Sequence, residues 1–216
     1  EQSKIKNTFK RYVSKNVVDQ LLSDDQKLNL GGEERDVTIL FSDIRGFTSM
    51  SERMDPEEVV LTLNEYFSAM IDLIFKHDGT LDKIVGDELM VVYGAPISKP
   101  DDSDRAVLTA IEMIAVTNQL NNKRKKRKKR PIEIGIGINK GLVISGNIGS
   151  KHQMDYTVIG DAVNIGARLC SLAKPQEIII SHAVKEALID NYELIKMNAV
   201  SVKGKEKPIQ ISGVKS

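Results

Sequence analysis

The chain of 216 residues has one cysteine, Cys170, and no tryptophan. A lone cysteine excludes an internal disulfide framework and fits a reducing compartment. No apolar stretch approaches the roughly 20 residues that a membrane-spanning helix needs, and no signal-peptide pattern is present. Because 41% of the residues are hydrophobic and 28% are charged, we expect one globular domain of ordinary size.

Net charge is also low, at +1, but the charges are unevenly distributed. Residues 123–130, KRKKRKKR, are eight consecutive bases, and removing them from the 31 Lys and Arg leaves 23 against 30 acids. Such a run is typical of a solvated loop whose charges repel one another. A contact with acidic lipid, an acidic partner or nucleic acid is the alternative. Nucleic acid is the weakest of these, because no aromatic residue interrupts the bases.

The first 30 residues carry apolar side chains at helical spacing and are followed by LGGEER, which we interpret as a loop. We therefore assign residues 1–32 to an amphipathic linker helix and loop, and residues 33–216 to the main domain. The chain begins at Glu1 rather than methionine, so we expect it to be a fragment of a longer protein. We expect the domain itself to be cytoplasmic, and membrane tethering of the longer protein stays open.

Hydrophobic periodicity predicts a mixed series of strands and helices. In chain order we expect strand 36–43, a helix from Pro56 to near Gly79, a hairpin around Gly86-Asp87, helix 103–121, two strands around Lys140-Gly141, helix 161–173, strand 177–181, a short helix, and strands near 192–202 and 208–214. Short hairpins mixed with helices favour the α+β class. We predict one mixed sheet covered by helices, with a ferredoxin-like βαββαβ core.

Two carboxylates stand at the ends of predicted strands. Asp43 closes the first strand, and Asp87 lies at the tip of the hairpin VGDE. If the two strands are neighbours, both carboxylates emerge at one edge, where paired oxygens suit Mg²⁺. The turn Gly46, Phe47 and Thr48 follows Asp43 and would offer backbone N–H groups to phosphate oxygens.

A second group of polar residues falls on the predicted helix in DAVNIGARLC. Asn164 and Arg168 are four residues apart, so they share one helix face. Val163, Gly166, Ala167 and Cys170 have the spacing of a buried face, and Asp161 stands where an N-cap belongs. A lone Asn/Arg pair is usually a surface pair, so the helix alone does not indicate a site.

Four motifs together point to a family. FSDIRGFT, DKIVGDELMVVYG, GDAVNIGARL and VKGKEKP follow one another in the order of the class III adenylate/guanylate cyclase catalytic domain, and this chain closely resembles that family from about Asp36 to Val214. One motif would be weak, whereas four in order are specific.

The resemblance implies roles for single residues. Asp43 and Asp87, with the backbone carbonyl of Ile44, would hold two divalent ions, Mg²⁺ or Mn²⁺, that assist attack of the ribose 3′-hydroxyl on the α-phosphate. Arg168 looks like the residue that neutralises charge on the α-phosphate. Asn164 resembles the residue that positions the ribose, and Lys203 the one that binds the terminal phosphates, with Lys205 the weaker choice.

The resemblance also bears on the base. Adenylate cyclases of this family have lysine four residues before the second metal aspartate, and this chain has Lys83 there. The second base-reading position holds Thr157. An ammonium can donate to adenine N1 and a hydroxyl can accept from N6, whereas lysine cannot accept from guanine N1–H. We therefore predict ATP as the substrate and 3′,5′-cyclic AMP as the product.

Two positions depart from the commonest family pattern. Many adenylate members have aspartate where Thr157 stands, and threonine resembles the subgroup that includes bicarbonate-stimulated cyclases. Leu142 stands where some members place an arginine that touches the triphosphate. From Thr157 we expect stimulation by inorganic carbon. From Leu142 we expect binding of the triphosphate to depend on Lys203 and the turn at Gly46.

In this family each active site is shared between two subunits, so the resemblance implies a homodimer and an upstream sensory domain. Three alternatives stay open. The first is a guanylate cyclase or a related diguanylate cyclase, which Lys83 and the missing GGDEF-like hairpin argue against. The second is a catalytically silent dimerisation or nucleotide-sensing module. The third is a nucleic-acid-binding protein that uses the basic run.

Overall fold

The structure is a computed structural model that describes residues 17–18, 30–202 and 207–216. Val17 and Val18 are helical and buried, and the rest of the predicted linker helix lies outside the described residues. The strands are β1 (Gly31–Ile44), β2 (Thr80–Val85), β3 (Glu88–Tyr93), β4 (Ile134–Ser150), β5 (Gln153–Ile159), β6 (Glu177–Ser181), β7 (Leu194–Lys196) and β8 (Ile211–Val214). The helices are α1 (Phe47–Ser51), α2 (Pro56–Lys76), α3 (Asp102–Lys126), α4 (Asp161–Leu172) and α5 (His182–Ala187).

The strands form one mixed sheet in the order β2-β3-β1-β4-β6-β8-β7, with β5 paired to β4 off this path. The first four strands are antiparallel to their neighbours, and with α2 and α3 between them they make the βαββαβ unit. Strand β6 joins β4 in parallel, which makes the sheet mixed. The predicted α+β class and ferredoxin-like core are confirmed.

Both faces of the sheet are covered, and the alternation of side chains along β1 shows how. Leu40 and Ile44 face the larger core, which includes α2 and α3. Val37, Ile39 and Phe41 point the other way, toward α4. Apolar residues on both faces make β1 a nearly continuous hydrophobic run, as expected for a central strand.

Two strands are longer than predicted. β1 starts at Gly31, five residues before the predicted start, because residues of the predicted LGGEER loop pair with the second half of β4. Strand β4 runs without a break through Lys140 and Gly141, where a hairpin was predicted. Gly141 pairs with Val37, so pairing with β1 overrides the local turn preference of the Lys-Gly dipeptide.

The glycine-rich sequence of β4 has a packing reason. A Cβ at Gly137 would overlap the backbone of Leu169 and Cys170 in α4, so only glycine lets the helix lie this close to the strand. This close approach of helix to strand depends on the missing side chain. It brings α4, which carries Asn164 and Arg168, directly onto the middle of the sheet.

The basic run was predicted as a solvated loop, and this is wrong for its first half. Helix α3 continues to Lys126, and the side chain of Arg124 is only 1% exposed. Its Nη1 donates to Glu65 Oε2 at 2.6 Å and its Nε to the Arg130 carbonyl at 2.7 Å. A buried guanidinium requires such partners, so one base of the run serves the fold.

The C-terminal strands are shorter than predicted. The pattern indicated strands over about 192–202 and 208–214, whereas β7 and β8 span three and four residues. Between them Val200 and Ile209 form an isolated antiparallel bridge. Within the described part of the chain, no helix has the length and apolarity required to cross a bilayer.

Candidate active site

The two predicted metal carboxylates meet at one edge of the sheet. Strand β1 ends at Ile44, and its pairing with β3 up to Ser42 and Leu89 brings the β2–β3 turn beside it. The Ile44 amide donates to Asp87 Oδ2 at 3.0 Å. Burial, together with a hydrogen bond and charge repulsion from Asp43, raises the pKa of Asp87 to about 7. The two carboxyl groups are therefore close enough for their charges to interact.

Arg45 holds this edge in place and was not singled out from the sequence. Its Nη2 donates to Asp43 Oδ2 at 2.8 Å, while Nη1 donates to the carbonyls of Cys170 at 3.1 Å and Ala173 at 3.2 Å, at the end of α4. Arg45 thus ties the Asp43 carboxylate to the helix of Asn164 and Arg168. Its position two residues after Asp43, directly after the end of β1, was the signal that the sequence offered.

The carboxylate edge suits a divalent cation. Two hard carboxylate oxygens at a strand edge, with a backbone carbonyl such as that of Ile44, are the donor set that Mg²⁺ takes, with water and phosphate oxygens completing the shell. Residues 30–202 and 207–216 contain no group of three or more His, Cys, Asp or Glu that could hold a metal. Any ion here therefore relies on Asp43 and Asp87, whose mutual repulsion a cation would relieve.

The predicted phosphate turn follows this edge directly. Gly46 has φ 69° and ψ 18°, a left-handed conformation that favours glycine, and it precedes the short helix α1. Phe47 is buried in the larger core, so only its backbone could contact a phosphate. The amide of Met50 already bonds to the Gly46 carbonyl at 3.0 Å, which leaves Phe47 and Thr48 as the backbone donors of interest.

The two predicted base-reading residues are brought together by a third residue, Asp82. Thr157 in β5 donates its hydroxyl to Asp82 Oδ1 at 2.9 Å and Oδ2 at 2.8 Å. Lys83 Nζ lies 3.4 Å from Asp82 Oδ1. Burial raises the pKa of Asp82, opposed by the bonds from Thr157, Lys83 and the Val158 amide. No local pattern indicated a role for Asp82, because Thr157 is 75 residues away.

Helix α4 presents Asn164 and Arg168 on its exposed side. They line a cavity of about 550 cubic ångströms (Å^3) together with Asp161 and Val202. The predicted N-cap is wrong by one residue, because Gly160 is the cap and Asp161 is the first helical residue. Lys203 follows Val202 directly but lies outside the described residues, as does Lys205.

The predicted buried face of α4 is partly wrong. Gly166 and Cys170 are buried, whereas Val163 and Ala167 are only partly buried. The buried positions are Ala162, Ile165, Gly166, Leu169 and Cys170. The stripe is shifted because Ile165 and Leu169 pack in one cluster with Ile179 of β6, while Ala162 and Cys170 pack with the apolar side chains of β1.

The fold and the arrangement of these side chains can be compared with known protein families. The family described as the adenylate and guanylate cyclase catalytic domain matches residues 32–212. The chain belongs to this family. It is a class III nucleotidyl cyclase catalytic domain.

Solved structures of the family include enzymes for both bases. The guanylyl cyclase Cya2 is 43% identical, with a TM-score of 0.82 over 86% of this chain and 94% of that one. The adenylyl cyclase CyaB from P. aeruginosa is 36% identical, with a TM-score of 0.83 over 87% and 97%. A bacterial light-regulated adenylyl cyclase superposes with a TM-score of 0.86 at 28% identity, over 98% of this chain and 61% of that one.

The curated relatives are longer proteins. An uncharacterised protein of Mycobacterium tuberculosis (strain ATCC 25618 / H37Rv) is 32% identical over 217 residues, which covers 98% of this chain and 38% of that protein. An uncharacterised protein of Mycobacterium bovis gives the same values. The chain thus spans less than half the length of the curated relatives it matches.

Proposed function

We propose that the protein is an adenylate cyclase, which converts ATP to 3′,5′-cyclic AMP and pyrophosphate. The observation that carries the choice of ATP is the cluster of Lys83, Asp82 and Thr157. It offers an ammonium donor for adenine N1 and a hydroxyl oxygen that can accept from adenine N6. A guanine in the same pose would leave its N1–H without an acceptor, at a cost of about 1–3 kcal/mol.

The metal-binding part of the proposal rests on the carboxylate edge. Asp43, Asp87 and the Ile44 carbonyl would hold Mg²⁺ or Mn²⁺, two per site by family resemblance. A bound divalent ion would lower the pKa of the ribose 3′-hydroxyl and offset charge on the phosphoryl oxygens. Arg45 keeps Asp43 oriented, and the backbone donors at Phe47 and Thr48 face the same edge of the sheet.

The remaining residues act on the rest of the nucleotide. Asn164 holds the ribose so that its 3′-oxygen is in line with the bond between the α-phosphorus and the pyrophosphate oxygen. As the new O–P bond forms and that bond breaks, Arg168 neutralises the charge on the α-phosphoryl oxygens. Lys203 binds the departing pyrophosphate, and the ribose hydroxyl proton passes to solvent.

The site is proposed to be shared between two copies of the chain. Within the described residues, no hydrogen bond or ion pair joins Arg168 to Asp43 or Asp87, although the reaction needs all three around one phosphate. Two copies related by a twofold axis would supply both halves twice. Exposed apolar side chains on β4 and β5, such as Ile144 (45% exposed) and Ile159 (53% exposed), offer surface for such a partner.

Two regulatory features complete the proposal. The greater length of the curated relatives supports a sensory segment upstream of residues 1–32, which would be joined to this domain through the linker helix. Thr157 supports stimulation by bicarbonate, tested by measuring cyclase rates with added bicarbonate at fixed pH. An unchanged rate would remove bicarbonate from the proposal and leave the adenylate cyclase activity standing.

The central test is a product assay. Purified protein is incubated with ATP or GTP and with Mg²⁺ or Mn²⁺, and the product is identified by mass. We expect cyclic AMP, in excess of cyclic GMP and dependent on metal. Predominant cyclic GMP would favour the second candidate function, a guanylate cyclase. The 43% identity to the guanylyl cyclase Cya2 is the observation in favour of that candidate. No product with either nucleotide would point to a silent module.

A further inference from the structure

Asp82 is a buried carboxylate whose hydrogen bonds converge on the base-reading residues. Its side chain is 4% exposed, whereas that of the neighbouring Lys83 is 45% exposed. Both carboxylate oxygens accept from the Thr157 hydroxyl, at 2.9 Å and 2.8 Å, and Oδ2 also accepts from the Val158 amide at 3.3 Å. The carboxylate therefore ties strand β2 to strand β5 at the predicted base pocket.

The direction of these hydrogen bonds fixes the chemistry of Thr157. An ionised carboxylate can only accept, so the hydroxyl proton of Thr157 must point to Asp82. The oxygen of Thr157 then has lone pairs left but no proton to give elsewhere. A threonine that was free to rotate could either donate or accept. Held by Asp82, it is an acceptor only.

We propose that Asp82 is a positioning residue that holds the Thr157 hydroxyl as an acceptor and so makes the pocket select adenine over guanine. This inference rests on the proposed function, because it concerns the base that the cyclase accepts. Adenine N6 carries hydrogens that such an acceptor can receive. Guanine carries an oxygen at the same place, O6, and two acceptors facing each other cannot form a hydrogen bond.

Lys83 plays a smaller part in this arrangement. Its Nζ lies 3.4 Å from Asp82 Oδ1, a distance longer than that of a charge-assisted hydrogen bond. The lysine side chain is partly exposed. The contact keeps the ammonium near the pocket without fixing its direction. Lysine cannot accept from guanine N1–H, so Lys83 also disfavours guanine, and the acceptor oxygen of Thr157 adds a second mismatch at guanine O6.

Replacing Asp82 by asparagine tests the direction of the hydrogen bond while preserving shape. Either orientation of the amide places its NH₂ group beside Thr157, because Thr157 contacts both oxygens of the native carboxylate. The NH₂ group can donate to the threonine oxygen and release the hydroxyl proton to point at the base. A hydroxyl that donates matches guanine O6, so Asp82→Asn should weaken the preference for adenine.

The experiment measures kcat/KM for ATP and for GTP, with Mn²⁺, in wild-type protein and in Asp82→Asn. We expect the ATP-to-GTP ratio to fall about tenfold or more in the variant, the equivalent of one hydrogen bond. Asp72→Asn, which removes an exposed carboxylate from α2, is the matched control and should keep the wild-type ratio. An unchanged ratio in folded Asp82→Asn, beside a wild type that prefers ATP, overturns the proposal and leaves the proposed function standing.

A double-mutant cycle separates positioning from a merely structural tie between β2 and β5. Thr157→Val removes the hydroxyl, so adding Asp82→Asn to it should change the ATP-to-GTP ratio by less than about twofold. Thr157→Ser, which keeps a hydroxyl, should keep most of the wild-type ratio. Equal effects of Asp82→Asn with and without the hydroxyl would overturn the proposal. If Asp82→Asn loses its cooperative melting transition, Asp82→Ala, which also frees the hydroxyl, replaces it in the cycle.

The outcomes for the two levels of inference remain distinguishable. A wild type that prefers GTP overturns both the proposed substrate and the role of Asp82. A wild type that makes no cyclic nucleotide overturns the proposed function alone. The role of Asp82 is then decided by calorimetry. The ratio of the GTP dissociation constant to the ATP dissociation constant should fall about tenfold in Asp82→Asn, and an unchanged ratio contradicts the proposal.

Discussion

Asp82 on one side, and the pair Asp43 and Asp87 on the other, lie near the β2–β3 hairpin in opposite surroundings. Asp82 receives hydrogen bonds from Thr157 and Val158 and has Lys83 nearby, so the chain itself satisfies its charge. Beyond the end of β2, Asp87 lies in the turn near Asp43 of β1, and repulsion from Asp43 contributes to the raised pKa of Asp87. Arg45 compensates only one of them directly.

This difference distinguishes a carboxylate that orients its own donors from a pair of carboxylates that we propose to bind a cation. A buried carboxylate with enough donors can remain charged without help, and it orients the groups that donate to it. Two carboxylates that share an edge with fewer donors gain from an external cation. The position of each residue in a motif does not make this distinction, whereas the count of donors around it does.

The largest effect is expected from removing one member of the paired carboxylates. Asp87→Asn should lower kcat by at least about 1,000-fold, because losing a metal ligand removes several kcal/mol of transition-state stabilisation. The melting temperature should not fall, since the substitution also removes repulsion with Asp43. A variant with more than a tenth of wild-type activity would contradict the assignment of Asp87 as a metal ligand.

The second prediction tests whether the two halves of the site act across a dimer. Asp43→Ala and Arg168→Ala should each be inactive alone, and mixing them should restore about a quarter of wild-type activity. This fraction follows because half of the randomly formed dimers are mixed and each has one intact site of two. Native mass spectrometry of differently tagged chains checks that mixed dimers form. Mixed dimers without activity would rule out the shared site.

The third prediction extends the comparison to a buried cation, Arg124. Glu65→Ala should lower the free energy of unfolding by about 3 kcal/mol, because it leaves a guanidinium that is 1% exposed without its anion. Arg127→Ala is the matched control. Arg127 is 64% exposed and 3.6 Å from the same glutamate, so its loss should cost less than about 1 kcal/mol. Urea denaturation measures both values, and equal costs would contradict the role assigned to burial.

The smallest effect is expected from metal binding to the resting protein. Mn²⁺ at about ten times its dissociation constant should stabilise the fold by roughly 1.4 kcal/mol, seen as a rise in melting temperature. Asp82→Asn should retain this rise, whereas Asp87→Asn should lose it. A rise that disappears in Asp82→Asn as well would show that the two carboxylate groups are not independent.

The sequence predicted best the features that depend on near neighbours. The Gly86-Asp87 turn, the β2–β3 hairpin and α2 all follow from local patterns and are confirmed. The βαββαβ core could be predicted because its elements alternate in a recognisable order. The meeting of Asp43 and Asp87 could be anticipated because each stands at the end of a strand, and strands β1 and β3 pair directly.

The features that sequence reasoning missed depend on partners far along the chain. The break predicted at Lys140-Gly141 is absent because β1 pairs with β4 on both sides of it. Arg124 is buried because of Glu65, 59 residues away, and nothing in the run of bases distinguishes it from its neighbours. The importance of Asp82 depends in the same way on Thr157, which another strand brings to it.

The single cysteine gives the molecule an internal reporter. Cys170 is fully buried on α4, and burial, opposed by Arg45, raises the pKa of its thiol to about 12. The thiolate is the form of cysteine that attacks alkylating reagents, so iodoacetamide can label this sulfur only when α4 moves away from the sheet beside Asp43. The labelling rate, measured by mass spectrometry, therefore reports how often α4 separates from the sheet beside the carboxylate edge.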